Sequence, residues 1–335
     1  MTAPFSELDV ELPAEQTIEA EPKGIAGRSP GQIAWQRLRR DKVSMVAFTV
    51  VALCVAIAVL APIMLALGWL DPYGFHYNLI TGFGSMPTGK LGGMSWAHPF
   101  GVEPQTGRDV MSRVILGIAF SMMIASSATL ISLTIGLVVG IISGYMGGVT
   151  DFWLGRFMDL MLSFPQLLML LALSPVLKDR IASAMNLPPG SATVSAIYLI
   201  LVLGLFGWPY IARIIRGQVL SLRNREFVEA ARSLGATRRR IWFKEMLPNL
   251  WAPIIVYVSL TLPINVGAEA ALSFLGVGLQ PPTPSLGNIL NDSVAFFTAD
   301  PAYFYIPGIA LVTVVLSFNM LGDGLRDALD PKSGR

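Results

Sequence analysis

The chain has 335 residues, 53% hydrophobic and only 14% charged, with a mean hydropathy of +0.59. A soluble domain is about a quarter charged, so this composition excludes an ordinary globular protein and identifies a membrane protein. Its one cysteine, Cys54, excludes a disulfide framework and multi-cysteine metal sites, and two histidines, His76 and His98, leave almost no histidine-based metal chemistry. The net charge of +2 is uneven: residues 1 to 22 hold six acids and no base, leaving 24 bases against 16 acids in the rest. An acidic tail therefore precedes a basic body.

Residues 1 to 27 contain too little apolar material to offset the entropy of ordering them and are predicted to be disordered, at the start of a cytoplasmic tail over 1 to 42. No positive n-region followed by a short apolar stretch marks a cleaved signal peptide. Val43 to Leu70 is then free of charge for 28 residues, more than the roughly 30 Å hydrocarbon core requires, and predicts one tilted spanning helix kinked at Pro62. The outside loop that follows, 71 to 109, has eight glycines and four prolines among Tyr73, Phe75, Tyr77, Phe83, Trp96 and Phe100. Within it, Gly84 to Lys90 satisfies G-x-x-x-x-G-K, but Leu91 stands where a magnesium-binding Ser or Thr belongs and no strand precedes, so a phosphate-binding loop is rejected.

Uncharged runs at Val114–Thr150, Leu160–Leu177, Ile181–Ala212, Met246–Ala268 and Pro301–Gly322 supply five further crossings, six in all. The first of these is expected to begin as an interfacial helix near Arg108 and Arg113. It carries Gly136, Gly140, Gly144 and Gly148 at four-residue spacing, a smooth strip suited to close helix packing. Arg156 and Asp159 are spaced to pair on one helix face. Glu269 is the sole acid well inside an apolar run; it needs a partner, a water-filled path or the far interface, and gating and structural hydrogen bonding remain equally open for it. With the N-terminus inside, inside segments hold 19 Lys and Arg and outside segments five, which places both termini in the cytosol, with a short tail from 326 to 335.

The most informative stretch is the basic inside loop from 213 to 248. Between Arg223 and Pro248, residues Phe227, Ala230, Ala231 and Leu234 recur at helical spacing before Gly235, whose freedom to take positive φ suits a helix end. Thr237 can cap a second short helix, and Pro248 marks the start of the fifth span. The residues thus predict a knob of two short helices with a small-residue patch beside Glu229. A solvated, positive-inside connection explains the composition equally well.

Glu229-Ala230-Ala231, three residues, Gly235, and Leu247-Pro248 resemble the EAA loop of ABC importer permeases, with Glu245 where isoleucine is usual. His98-Pro99-Phe100-Gly101-Val102, Gly107-Arg108-Asp109-Val110, Asp159 to Pro165, Glu269 to Gly278 and Gln280 to Gly287 are similar to dipeptide, oligopeptide and nickel permeases. The resemblance implies an all-α type I importer fold in a bacterial or archaeal cell membrane, non-catalytic, with a permease core over 110 to 325. It further implies a homologous second permease, two ATPase subunits that carry the ATP and Mg, and an extracytoplasmic substrate-binding protein. It assigns no cofactor or metal to this chain, no nucleic acid partner, and ATPase docking to the Glu229 to Pro248 knob. Loop 71 to 109 then reads either as a docking face for the binding protein or as an interfacial aromatic belt. The competing class is a stand-alone channel or ion-coupled transporter, which predicts several ionisable residues along the path where this chain offers essentially one.

In a Cys54→Ala background, single cysteines at Ser85 and Ser191 should react with an impermeant thiol reagent from outside and one at Thr237 should not. Outside labelling at Thr237 would reverse the topology.

Overall fold

The computed structural model describes residues 30–81, 84–89 and 91–330; the acidic opening of the tail, Phe83, Lys90 and the last five residues lie outside them. Helix α1 (Pro30–Arg40) ends at Asp41, whose extended backbone breaks the helix and whose carboxylate accepts from the amides of Val43 and Ser44, both at 3.1 Å. That capping starts α2 (Lys42–Ala66), which contains Pro62. The described residues of the loop after α2 contribute a 3-10 turn at Tyr77–Leu79 and two isolated bridges. Asp109 then accepts from the Ser112 amide at 2.7 Å and opens α3 (Val110–Met146).

The helices that follow are α4 (Gly148–Ser163), α5 (Gln166–Met185), α6 (Ala192–Leu222), α7 (Glu226–Ser233) and α8 (Arg238–Arg240). After them come α9 (Trp251–Phe274), α10 (Leu286–Val294) and α11 (Pro301–Leu329). Among the described residues five helices are long and apolar enough to cross a membrane: α2, α3, α6, the continuous Arg238–Phe274 and α11. The pair α4 and α5 makes a sixth crossing if taken together.

Several sequence boundaries are corrected. The third span, expected as one helix over Leu160–Leu177, is broken between α4 and α5 by an 84° bend. Pro165 lacks an amide hydrogen and holds Phe164 extended at ψ 133, so the helix cannot continue through it. The helix of the second run starts earlier than Val114: α3 begins at Val110, and Arg113 in its first turn is buried. α6 runs ten residues past Ala212 to Leu222, so the basic stretch expected from 213 begins on the same helix. Gly148 does not continue the glycine strip: α3 stops at Gly147, φ +63, and Gly148 opens the next helix with open space around it.

The other three strip glycines lie in the broadest helix contact, between α3 and α6. A Cβ on Gly140 would stand 2.7 Å from the Ala212 carbonyl oxygen and 2.8 Å from Ile215 Cβ, and one on Gly144 2.9 Å from the Arg216 carbonyl oxygen. Gly136 meets the Trp208 carbonyl oxygen at 2.8 Å in the same way, and Gly204 of α6 reciprocates against Ile131. Lipid tails are as apolar as leucine, so helices associate here through backbone proximity and dispersion rather than hydrophobic exclusion.

Gly140→Val should therefore lower the melting temperature of the purified chain, since overpacking against backbone costs about 1–3 kcal/mol. Gly155→Ala, on α4 with nothing within 4 Å of the added carbon, should leave it unchanged or slightly raised. Equal melting of Gly140→Val and the unmodified chain would show that the seam is loose.

Candidate functional site

At the end of α6 the chain turns at Arg223–Arg225 into α7. The Ala236 amide donates to the Ala231 carbonyl and the Gly235 amide to the Arg232 carbonyl, both at 3.0 Å, with Gly235 at φ +75. This paired bonding closes a helix through a left-handed residue, the conformation glycine adopts without strain. Thr237 accepts from the Arg240 amide at 3.5 Å and starts α8. The expected second short helix is not separate. α8 passes through a π turn (Ile241–Met246) and a 3-10 turn (Leu247–Leu250) into α9, the irregularity falling where Pro248 has no amide hydrogen to give.

The knob has an inner and an outer side. Val228 is fully buried with Ile241, Met246 and Leu250 among Ile141 of α3 and Ile211, Ile215 and Val219 of α6. Glu229, Ala230, Gly235 and Pro248 are exposed, and Ala231 and Leu247 are half-buried. Ala230, Ala231 and Gly235 line a shallow hollow of about 600 Å³ together with Phe227, Leu234 and Glu245; Glu229, Leu247 and Pro248 lie outside its lining. Leu234, 88% exposed, is the most prominent apolar group on this surface. Val228 lies off the Phe227–Ala230–Leu234 repeat, one position round the helix from Phe227, so the periodicity marks the exposed face and not the residue that anchors it.

Ionic contacts join the helices above the knob. Asp151 of α4 accepts from Arg216 of α6 through Nε at 2.5 Å and Nη2 at 2.7 Å, and from Ser143 of α3 at 2.5 Å. Arg223 donates to the Gly144 carbonyl at 3.3 Å. Arg156 and Asp159 do approach within one helix, at 3.7 Å, but Asp159 also accepts from Arg213 of α6, so it joins two helices instead of bracing one. Arg232 lies 5.7 Å over Tyr145, which meets Trp242 edge-on. Partners 65 residues apart leave no local spacing from which Asp151–Arg216 could be read.

Glu269 has no exposed surface. Its carboxylate accepts from Ser121 of α3 at 2.5 Å and from Ser273 one turn along α9 at 2.7 Å, with Ser285, the cap of α10, as a third hydroxyl. Nearby, Asn265 donates to Thr129 at 2.9 Å. The polar groups of α9 thus converge on α3 and on the start of α10.

Glu103, within the 71–109 loop, is buried. It accepts from Tyr303 of α11 and from Thr106, each at 2.5 Å, and lies 3.3 Å from Arg113 and 3.7 Å from Arg108. Burial pushes the nearby Asp292 carboxyl above its ordinary range, and the charge of Glu103 adds to the rise. His98 contacts Asp109 at 2.9 Å, so the His98 and Asp109 segments meet at the cap of α3. Phe75 and Tyr77 stack at 5.6 Å, and Trp96 stands fully exposed beyond them. Gly84 to Gly89 forms turns with no helix after it, unlike a phosphate-binding loop.

Residues 136–335 match the family described as binding-protein-dependent transport system inner membrane component, and residues 29–78 match the N-terminal TM domain of oligopeptide transport permease C. The chain is 33% identical over 331 residues to the oligopeptide transport system permease protein of Haemophilus influenzae, covering 99% of this chain and 98% of that one. It is 33% identical to the dipeptide transport system permease protein of Alkalihalophilus pseudofirmus, covering 91% and 90%. It is 34% identical to the glutathione transport system permease protein of Escherichia coli, covering 91% of each. Among solved structures, the inward-facing MetNI methionine ABC transporter shares the fold at a TM-score of 0.53 and 19% identity, over 66% of this chain and 98% of that one.

The three-hydroxyl cradle of Glu269 yields an ordered series. Glu269→Gln keeps the shape and one acceptor oxygen and should melt close to the unmodified chain. Glu269→Leu strands buried hydroxyls at roughly 1–3 kcal/mol each and should melt several degrees lower. If the two variants fall equally, the charge itself holds α3, α9 and α10 together.

Proposed function

The chain belongs to the family of binding-protein-dependent transport system inner membrane components, and from that premise we propose that it forms one half of the path of an ATP-driven importer for dipeptides or oligopeptides. Members of this family are transport permeases and not enzymes. The peptide assignment draws on the oligopeptide, dipeptide and glutathione transport named for the relatives. In this reading a homologous permease supplies the other half of the path. Two ATPase subunits bind ATP and Mg below it, and a substrate-binding protein docks above, against the exposed aromatic groups of loop 71–109.

The observation that carries the reading is the knob: a small-residue hollow with Leu234 projecting from it, anchored through Val228 to the tightest helix pair in the chain. A partner seated in the Ala230, Ala231 and Gly235 hollow moves a lever fixed to α3 and α6, and the α8–α9 helix carries that motion to Glu269 at the outer end. Switching between inward and outward access is then rigid-body coupling. We place both termini in the cytosol, at the knob's end of the molecule. Arg37 beside the start of α2 donates to the Asp330 carbonyl at 2.8 Å, and a Cβ on Gly322 of α11 would lie 3.2 Å from Ser259 in the first half of α9. Glu269, joining α3, α9 and α10, is in this scheme a gate-side tie between moving helices.

Gly235→Val separates docking from folding. Its positive φ strains a β-branched residue, while among the described residues nothing beyond its two chain neighbours lies within 4 Å of the added Cβ, so a partner is what the side chain would meet. Gly235→Val and Glu229→Lys should leave the permease inserted and paired, yet weaken ATPase binding or uncouple hydrolysis from transport. Arg239→Gln, on the exposed basic surface, should be mild. Reconstituted peptide uptake with substrate-stimulated ATP hydrolysis is the measurement, and normal coupling in both damaging variants would remove the docking role.

A further inference from the structure

Helix α1 has one side packed within the chain and one side that no described residue covers. On the packed side Leu38 is buried, sharing a cluster with Ala34 and with Leu325 and Ala328 of α11, and Arg37 donates to Asp330. The open side presents Ile33, Trp35, Arg39 and Arg40, and exposure continues through Lys42 into Val43 and Val46 of α2.

The depth of this side is fixed by α2. Trp35 meets Phe48 edge-on at 5.7 Å. Phe48 lies six residues into α2, about 9 Å along its axis at 1.5 Å per residue, and Val46 beside it is 66% exposed on the surface of a membrane-crossing helix. The indole therefore reaches the apolar edge of the bilayer, and the Arg39 guanidinium lies over it at 5.2 Å. An aromatic ring between hydrocarbon and a cation is the composition of the membrane–water boundary. Charge points the same way: residues 30 to 42 contain one acid, Asp41, whose carboxylate is engaged in capping α2, while Arg39, Arg40 and Lys42 are exposed.

We infer that α1 is an interfacial helix that binds the anionic phospholipid headgroups of the leaflet at the knob's end, through Arg39, Arg40 and Lys42, with Trp35 seated at the acyl boundary. A helix merely flanked by topology-setting bases needs no aromatic group at that depth and no oriented cation above it. Here the indole, the guanidinium and the lipid-facing valines of α2 form one continuous surface, and its chemistry is that of an acidic phospholipid. Screening by salt weakens such contacts, because the headgroup attraction falls away within a Debye length.

The full permease complex in nanodiscs tests this by hydrogen exchange of peptides covering residues 30–42. In discs containing about a third phosphatidylglycerol, exchange should be about tenfold slower than in phosphatidylcholine alone, and high salt should erase the difference. Arg39→Gln/Arg40→Gln/Lys42→Gln should abolish the lipid dependence while exchange of α3 and α6 stays unchanged. Equal protection of the unmodified helix in both lipids would overturn the inference without recourse to any variant. So would protection that appears only with the ATPase subunits present. Loss of protection in both lipids on deleting residues 1–22 would name the acidic tail as the occupant instead and would equally overturn it.

Discussion

The packing of this molecule hangs on the close contact of α3 with α6. In hydrocarbon there is no water to drive helices together, so a pair holds only as well as its backbones approach. Gly136, Gly140 and Gly144 remove the side chains that would keep α3 away from the Trp208–Val219 face of α6. The same stretch of α6 then supplies Ile215 and Val219 to the base of the knob, with Ile141 of α3 beside them. The knob is thus mounted on a helix pair that cannot splay without opening a gap along several turns. In the coupling proposed above, a push on Ala230 or Gly235 would for that reason reach the membrane-crossing helices instead of being absorbed in a loop.

Polar joints complete the frame at both ends. Removing one partner of a buried ionic or hydrogen-bonded pair is costly because the other is left without compensation. Asp151 with Arg216 and Ser143 ties α4 to α6 and α3 near the knob. Glu269 with Ser121, Ser273 and Ser285 ties α9 to α3 and α10 farther from the knob, and Glu103 with Tyr303 and Arg113 fastens the 71–109 loop to α11 and α3. Helices that hydropathy treats as independent crossings are in this way joined into a few bodies, as the proposed change of access would require.

The broken crossing of α4 and α5 marks where the frame is less continuous. Pro165 interrupts it, and α5 turns back along α6 through Leu170, Tyr198 and Leu199. The bend leaves Phe164, Leu167 and Leu168 exposed on the surface of this chain, a face without internal neighbours among the described residues.

The sequence by itself determined the all-helical membrane class, the apolar segments, the positive φ at Gly235 and the small-residue patch of the knob. These follow from local properties: the length of an uncharged run, a helical repeat, a residue without a Cβ. It also marked Glu269 as needing partners, since the cost of an isolated buried charge belongs to the residue and not to the fold. Only the tertiary structure decided which partners those are. It separated Gly148 from the other three glycines, turned the third span at Pro165, merged α8 with α9, gave Asp159 a second arginine and brought Asp151 to Arg216. Each of these depends on which helix lies beside which. Helix neighbours are chosen by packing between segments tens to hundreds of residues apart, a quantity that neither hydropathy nor motif spacing contains.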